Sequence, residues 1–308
     1  MNDQMQFPVP AWAAAFSHPD DVGPPKSILM YGKTGTRKTT MYAELVAYGA
    51  LKRGLIIDID NGTETLANDP VIRQAIQDGR LSILPINSLD QNAFIQMETV
   101  LLDVLGMTRE PNPIYAQGNL IPDPRKPDLG FDLVVFDTLN IAQTIAVDYY
   151  LKTTFTEKGK RDTLAAWGLV GTWTMGFARA LQNTNRFVGG LPMHPMSDSE
   201  NTGKVTIKPK LQGGAKDSIA TVPSMAIYLD FERTGNGDEV VLVGYVGESD
   251  KYETKNRYRL PPKIMNFNLL RLWQAIEHSR STGQPIASML ELPITQTPTA
   301  APYAAPAA

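Results

Sequence analysis

Residues Gly32 to Thr39 read GKTGTRKT, a spacing of glycine, lysine and hydroxyl suited to holding a phosphate chain. The pattern is G-x-x-x-x-G-K-[ST]. Gly32 opens it, Lys38 and Thr39 close it, and Arg37 stands where the second glycine belongs. In such a loop, here Gly32, Lys33, Thr34, Gly35, Thr36, Arg37, Lys38, Thr39 and Thr40, successive backbone N–H groups turn inward around phosphate oxygens. The helix that follows adds its positive end. Lys38 then neutralises β- and γ-phosphate charge, and the Thr39 hydroxyl takes Mg²⁺, so the ligands implied are ATP and Mg²⁺. Arg37 must find room beside the phosphates. Its guanidinium could fork onto their oxygens. Equally, it could mark a loop that binds nucleotide weakly or hydrolyses it poorly, and both readings stay open.

Further carboxylates stand where this chemistry needs them. FDLVVFD, residues 131–137, is an apolar run closed by Asp137, the form of a Walker B strand whose acid meets Mg²⁺ directly or through water. LIIDIDNG carries Asp58 and Asp60, which alternation along a strand sends to one face. Asp60 lies nearer the crevice and is the candidate for polarising the attacking water, with Glu64 as a fallback. His194 follows the apolar run Phe187–Met193, where a side chain could sense the γ-phosphate.

The elements that must position these groups alternate as strand and helix, the signature of a parallel α/β sheet. Expected strands are Ile28–Tyr31, Leu55–Ile59, Leu81–Pro85, Leu133–Phe136 and Phe187–Met193. Expected helices are Thr39–Lys52, 65–78, Asp90–Leu105, 139–151 and 162–183. Residues 106–130, with five prolines, read as a surface excursion, and Ser197–Ala215 as a polar loop. Met225–Phe231 and Val240–Tyr245 read as antiparallel strands around a turn at Thr234–Gly237, before a last helix at Leu269–Glu277. The domain plan is an arm at 1–26 with Phe7, Trp12 and Phe16 as anchors, a nucleotide-binding domain at 27–278, and a Pro/Ala-rich tail at 279–308, expected disordered from Pro293.

Composition excludes several classes. A net charge of −3 rules out a globally basic nucleic-acid binder, though not a locally basic groove. Without cysteine there is no disulfide, thiolate metal site or cysteine nucleophile. The absence of Lys or Arg before Lys26 argues against a signal or transit segment. No apolar run approaches the roughly 20 residues that span a bilayer. The expectation is a soluble, cytoplasmic protein without membrane contact.

In this order the pieces resemble the RecA-like ATPases, most of all compact phage-encoded ones of single-strand annealing and recombination. The resemblance covers about residues 27–262. It rests on GKTGTRKT, LIIDIDNG, FDLVVFDT, LQGGAKDSIATVPSMAIYLD and TKNRYRLPP. It implies ATP and Mg²⁺ as ligands, with Lys38, Thr39 and Asp137 as above and Asp60 in place of a catalytic glutamate one methylene longer. TKNRYRLPP resembles a lysine-bearing strand at a subunit interface, so Lys255 and Arg257 are implied as cations acting on a neighbour's nucleotide. An active homo-oligomer, ring or filament, follows, located in the host cytoplasm if phage-encoded.

The resemblance also implies single-stranded DNA bound by two loops. KTTFTEKGKR carries Lys152, Lys158, Lys160 and Arg161, with Phe155 able to stack on a base. KVTIKPKLQGGAK carries Lys204, Lys208, Lys210 and Lys216. Both are expected to be flexible. Two rivals remain. Lys33 and LIIDIDNG also suit the ParA and MinD partitioning ATPases, although the C-terminal third has no counterpart there. Arg37 and Asp60 also suit a nucleotide-gated DNA-binding module without turnover.

Overall fold

Apolar runs too short for helices and flanked by turn residues become the strands of one sheet. The computed structural model describes residues 24–111, 119–199, 205–233, 239–247 and 249–290. Phe7, Trp12, Phe16, Lys204, the 234–237 turn and the tail beyond 293 lie outside the described residues.

The strands are β1 Ser27–Gly32, β2 Gly54–Asp58, β3 Leu81–Pro85, β4 Met107–Glu110, β5 Asn119–Pro122, β6 Leu133–Asp137, β7 Val188–Met193, β8 Pro195–Ser199, β9 Val205–Pro209, β10 Met225–Arg233, β11 Val240–Tyr245 and β12 Lys263–Met265. The helices are α1 Lys38–Ala47, α2 Pro70–Gln77, α3 Ala93–Leu105, α4 Leu139–Thr153, α5 Thr163–Asn183, α6 Leu269–Thr282 and α7 Ile286–Leu290. Among the described residues the main sheet runs β12-β11-β10-β1-β7-β6-β2-β3. Strands β10, β1, β7, β6, β2 and β3 are parallel, while β11 and β12 extend the edge antiparallel. This is the expected α/β, RecA-like architecture.

Side-chain alternation along β1 explains why both faces are covered. Leu29 and Tyr31 join the core under α3, α4 and α5, whereas Ile28 and Met30 join the core under α1, α2 and α6. All four are essentially inaccessible, and each such burial stabilises by about 1.5–3 kcal/mol. Gly190 of β7 lets α1 approach, and Gly189 lets α5 approach. A Cβ on Gly190 would stand 2.9 Å from the Tyr42 ring, whose hydroxyl donates to the Ile28 carbonyl at 2.6 Å.

Two expected loops are hairpins instead. Within 106–130, β4 pairs with β5, anchored by Arg109 on Glu98. Within 197–215, β8 pairs with β9, and Ile207 also bridges Tyr252. The first helix stops at Ala47 rather than Lys52. Gly49 has positive φ just beyond it, and its N–H bonds the Val46 carbonyl. The last helix runs on to Thr282, capped by Gly283 in the left-handed region. The short α7 then packs back, with Ile286 and Leu290 against the α1–α6 core.

Candidate nucleotide site

Parallel order brings the carboxyl ends of β1, β7, β6 and β2 to one edge, where an open α/β sheet binds ligands. The phosphate-type loop leaves β1, His194 follows β7, Asp137 ends β6, and Asp58 and Asp60 stand at the end of β2.

The loop turns where its glycine is indispensable. A Cβ on Gly32 would lie 2.5 Å from the Leu229 carbonyl oxygen, a backbone atom that cannot yield. Lys33, Thr34 and Gly35 are exposed at the crown, Thr36 and Lys38 are buried, and Thr39 and Thr40 are half-buried. The Lys38 ammonium donates to the carbonyls of Gly32 at 2.8 Å and Lys33 at 3.0 Å, and to Thr36 Oγ1 at 3.2 Å. Burial pushes this ammonium down to about 8, while Asp137 and Asp60 pull it back up. Thr39 Oγ1 donates to Asp137 Oδ2. Burial pushes the Asp137 carboxyl up to about 6. The Thr39 hydroxyl opposes that shift, Asp58 and Asp60 add to it, and Lys38 opposes it.

These donors fit the implied ligands. Hydroxyl and carboxylate oxygens in contact suit a hard cation such as Mg²⁺, which needs only one or two protein ligands beside phosphate. Among the described residues there is no cluster of three or more His, Cys, Asp or Glu able to form a complete metal cage. A carboxylate made unfavourable by burial and two acidic neighbours gains from a nearby divalent charge.

Asp58 plays a structural part, accepting from the backbone N–H groups of Gly62 and Thr63, both at 3.2 Å, and from the Thr63 hydroxyl. That fixes the turn after β2, and Asp60, two residues beyond the strand, is exposed. The structure joins two separately predicted residues here, for His194 Nε2 lies 3.4 Å from Asp60 Oδ2. Glu64 is exposed on the 3₁₀ turn Gly62–Asn68.

The AAA domain family matches residues 24–258 of the 308. The chain belongs to it. The match reaches through TKNRY, covering most of the C-terminal segments for which the partitioning class offered no counterpart. Looser likenesses exist among solved structures. The flagellar accessory protein FlaH from Methanocaldococcus jannaschii is 12% identical over 79% of this chain and 85% of its own, with a TM-score of 0.40. The RadB recombinase is 13% identical over 72% and 80%, at 0.39. A type III secretion ATPase of pathogenic bacteria is 12% identical over 68% and 53%, at 0.39. No curated protein sequence matches. This AAA domain has a mostly parallel α/β fold with the phosphate-loop sequence at its carboxyl edge.

Arg37, the departure from the loop pattern, sits in the left-handed region at φ 60° and ψ 24°, the conformation that makes glycine usual there. An L-residue there costs about 1–2 kcal/mol. Its side chain is 57% exposed. It runs along α1 to Glu44, guanidinium to carboxylate at 2.7 Å. Sequence reasoning missed Glu44, although a lone acid seven residues on, amid the apolar residues of α1, was the available signal.

The expected lysine-bearing strand takes another form. TKNRYRLPP is not a strand: Lys255 forms an isolated antiparallel bridge with Ala226. Its ammonium turns into its own subunit, donating to the Thr221 carbonyl and, at 3.5 Å, to that of Val222. Burial, then Arg257, push its pKa down. Arg257 itself is exposed.

The first basic stretch closes as a tight hairpin. Phe155 bridges Arg161, and Thr156 N–H bonds the Lys160 carbonyl at 2.7 Å. Lys152 belongs to α4 and pairs with Asp148 at 2.6 Å. Lys158, Lys160 and Arg161 are exposed beside Phe155, which is 54% exposed. In the second stretch Lys208 is held by Asp198 and Asp217 at 3.3 and 3.2 Å, and Lys216 by Asp198 at 3.3 Å. These acids pair with two of the cations assigned to DNA by the resemblance, while Lys210 is exposed.

Helix α4, which starts beside Asp137, holds both ends of the β8–β9 hairpin. Asn140 Oδ1 accepts from His194 N–H at 3.3 Å. Gln143 accepts from Gln212 N–H at 2.7 Å and donates to the Gln212 carbonyl at 3.2 Å. Neither residue was singled out in the sequence, because the contacts of Gln143 span 69 positions.

Proposed function

We propose that this AAA domain hydrolyses ATP with Mg²⁺, that single-stranded DNA accelerates the reaction, and that it works as a homo-oligomer in DNA recombination or replication. The convergence of Lys38, Thr39, Asp137, Asp60 and His194 at one sheet edge carries the reading. In this assignment Lys38 binds the β/γ-phosphates, Thr39 and Asp137 hold Mg²⁺, and Asp60 orients and deprotonates the attacking water. His194 contacts Asp60 and begins the segment leading to the β8–β9 hairpin, which supports a role in reporting the state of the nucleotide. The bonds of α4 to both ends of that hairpin support a link between nucleotide and DNA. Phe155, with Lys158, Lys160, Arg161 and Lys210, supports a stacking and phosphate surface. Arg257 is the exposed cation for a neighbour's site, and Lys255 would first have to leave its carbonyls. Among the described residues no helix is long and apolar enough to cross a membrane.

The test is steady-state ATP hydrolysis with and without an oligonucleotide of single-stranded DNA. Wild-type protein is expected to be stimulated. Phe155→Ala should weaken DNA binding about tenfold, since stacking on an aromatic side chain contributes roughly 1–3 kcal/mol per base. Unchanged DNA affinity in this variant would remove the hairpin from the interface. The Asp60–His194 contact also favours a second reading, in which Asp60 is engaged and nucleotide is bound without turnover. ATP binding with no hydrolysis in the presence of DNA would select it.

A further inference from the structure

We propose that Glu44 is a positioning residue for the phosphate loop. It draws the Arg37 guanidinium along the flank of α1 and so anchors the left-handed turn that a glycine ordinarily supplies. The inference deepens the nucleotide-site reading and rests on it.

The geometry is specific. Arg37 is the residue before α1, and its carbonyl accepts the Met41 N–H at 2.9 Å, so its conformation sets the start of that helix. Glu44 lies two turns on, and seven residues of helix rise about 10 Å. The guanidinium is therefore carried toward the carboxyl end of α1, away from the end that faces phosphate. The two partners are unequal: the Arg37 side chain is 57% exposed and that of Glu44 only 6%. Glu44 is thus the fixed post and Arg37 the arm tied to it.

The post is itself held. Asn268 Nδ2 donates to Glu44 Oε2 at 3.1 Å, while Asn268 Oδ1 caps α6 by accepting the Arg271 N–H at 3.0 Å. One carboxylate oxygen serves Arg37 and the other serves Asn268. Two surrounding groups, Asp69 and Tyr48, offer Glu44 no cation. The guanidinium is the positive charge that this buried carboxylate has been given. The same pair solves two problems: it neutralises Glu44 and keeps a bulky cation out of the phosphate cradle.

Calorimetric titration with Mg-ATP tests this on wild-type protein, Glu44→Ala, Glu44→Gln and Arg37→Gly/Glu44→Gln, with Lys38→Ala as the blank and a thermal melt of each. Glu44→Ala frees Arg37 and should weaken ATP binding about tenfold or more. Glu44→Gln keeps one acceptor and should lose less. The double variant restores glycine and removes the buried charge, so it should bind within about threefold of wild type. A merely structural Glu44 would lower melting without this rescue. Wild-type affinity in folded Glu44→Ala, or in Glu44→Gln if the alanine variant does not fold, overturns the proposal when the double variant also shows no gain over the single one. If wild type binds no better than Lys38→Ala, the nucleotide-site reading itself fails.

Discussion

Replacing Lys38 by methionine is expected to lower ATP hydrolysis by a hundred- to a thousandfold, the usual cost of removing one preorganised group from developing charge. Methionine keeps most of the length and apolar stem, so the loss reports the ammonium and not a hole. The structure adds a pH signature. The free protein holds this ammonium at about 8, lowered mainly by burial. Phosphate favours the protonated form, so the bound state has the higher pKa. ATP affinity in wild type should then fall as pH rises above about 8, by at most about tenfold per unit, as linkage requires for one proton. The methionine variant should show weak binding and no such fall. Titrations at pH 7, 8 and 9 decide it, and an alkaline fall of the same steepness in the variant would assign that proton elsewhere.

The sequence made the nucleotide edge legible because its signals are local. An apolar run ended by Asp137 and a glycine–lysine–threonine spacing are each read within a few residues, and strands β3 and β11 matched their predicted bounds to the residue. What stayed illegible depends on partners far along the chain. MTRE and NLIP in β4 and β5 show no alternation, and it is mutual pairing, the Arg109–Glu98 contact and the packing of Met107 and Leu120 on the core that accompany their strand form. The β8–β9 stretch looks like a basic loop until Asp198 and Asp217 are seen to hold its lysines. Asp60 and His194 meet across 134 positions, because a parallel sheet aligns strand ends without regard to sequence distance.

Arg37 is the most instructive case. Read as a sequence, it pits a steric problem against a useful charge, and neither outcome could be chosen. The fold offers a third: a left-handed residue whose side chain is led away by Glu44. A departure from a motif is therefore best read together with the face of the helix behind it.

Replacing Asp137 by asparagine should abolish Mg²⁺-dependent hydrolysis and yet make the free protein more stable. Burial and the neighbouring Asp58 and Asp60 raise this carboxyl from 3.8 to about 6 in the folded state. Between pH 4 and 6 the unfolded chain has already released its proton while the folded protein retains it. The unfolded state then binds fewer protons, so this group's contribution to stability falls as pH rises through that window and stays low above it. Two pKa units correspond to roughly 3 kcal/mol. Asparagine carries no such penalty and still offers an oxygen to the Thr39 hydroxyl. Without metal or nucleotide, the variant should melt roughly 5–10 °C above wild type at pH 8, given about 2–4 °C per kcal/mol for a domain of this size. The gap should shrink toward pH 4, where the folded carboxyl is neutral and the unfolded one is about half protonated. Equal melting at pH 8 would show that Asp137 is not strained by its neighbours. A gap that persisted at pH 4 would trace the gain to packing rather than charge. Adding Mg-ATP should reverse the order at pH 8, because only wild type supplies the carboxylate that a divalent cation stabilises.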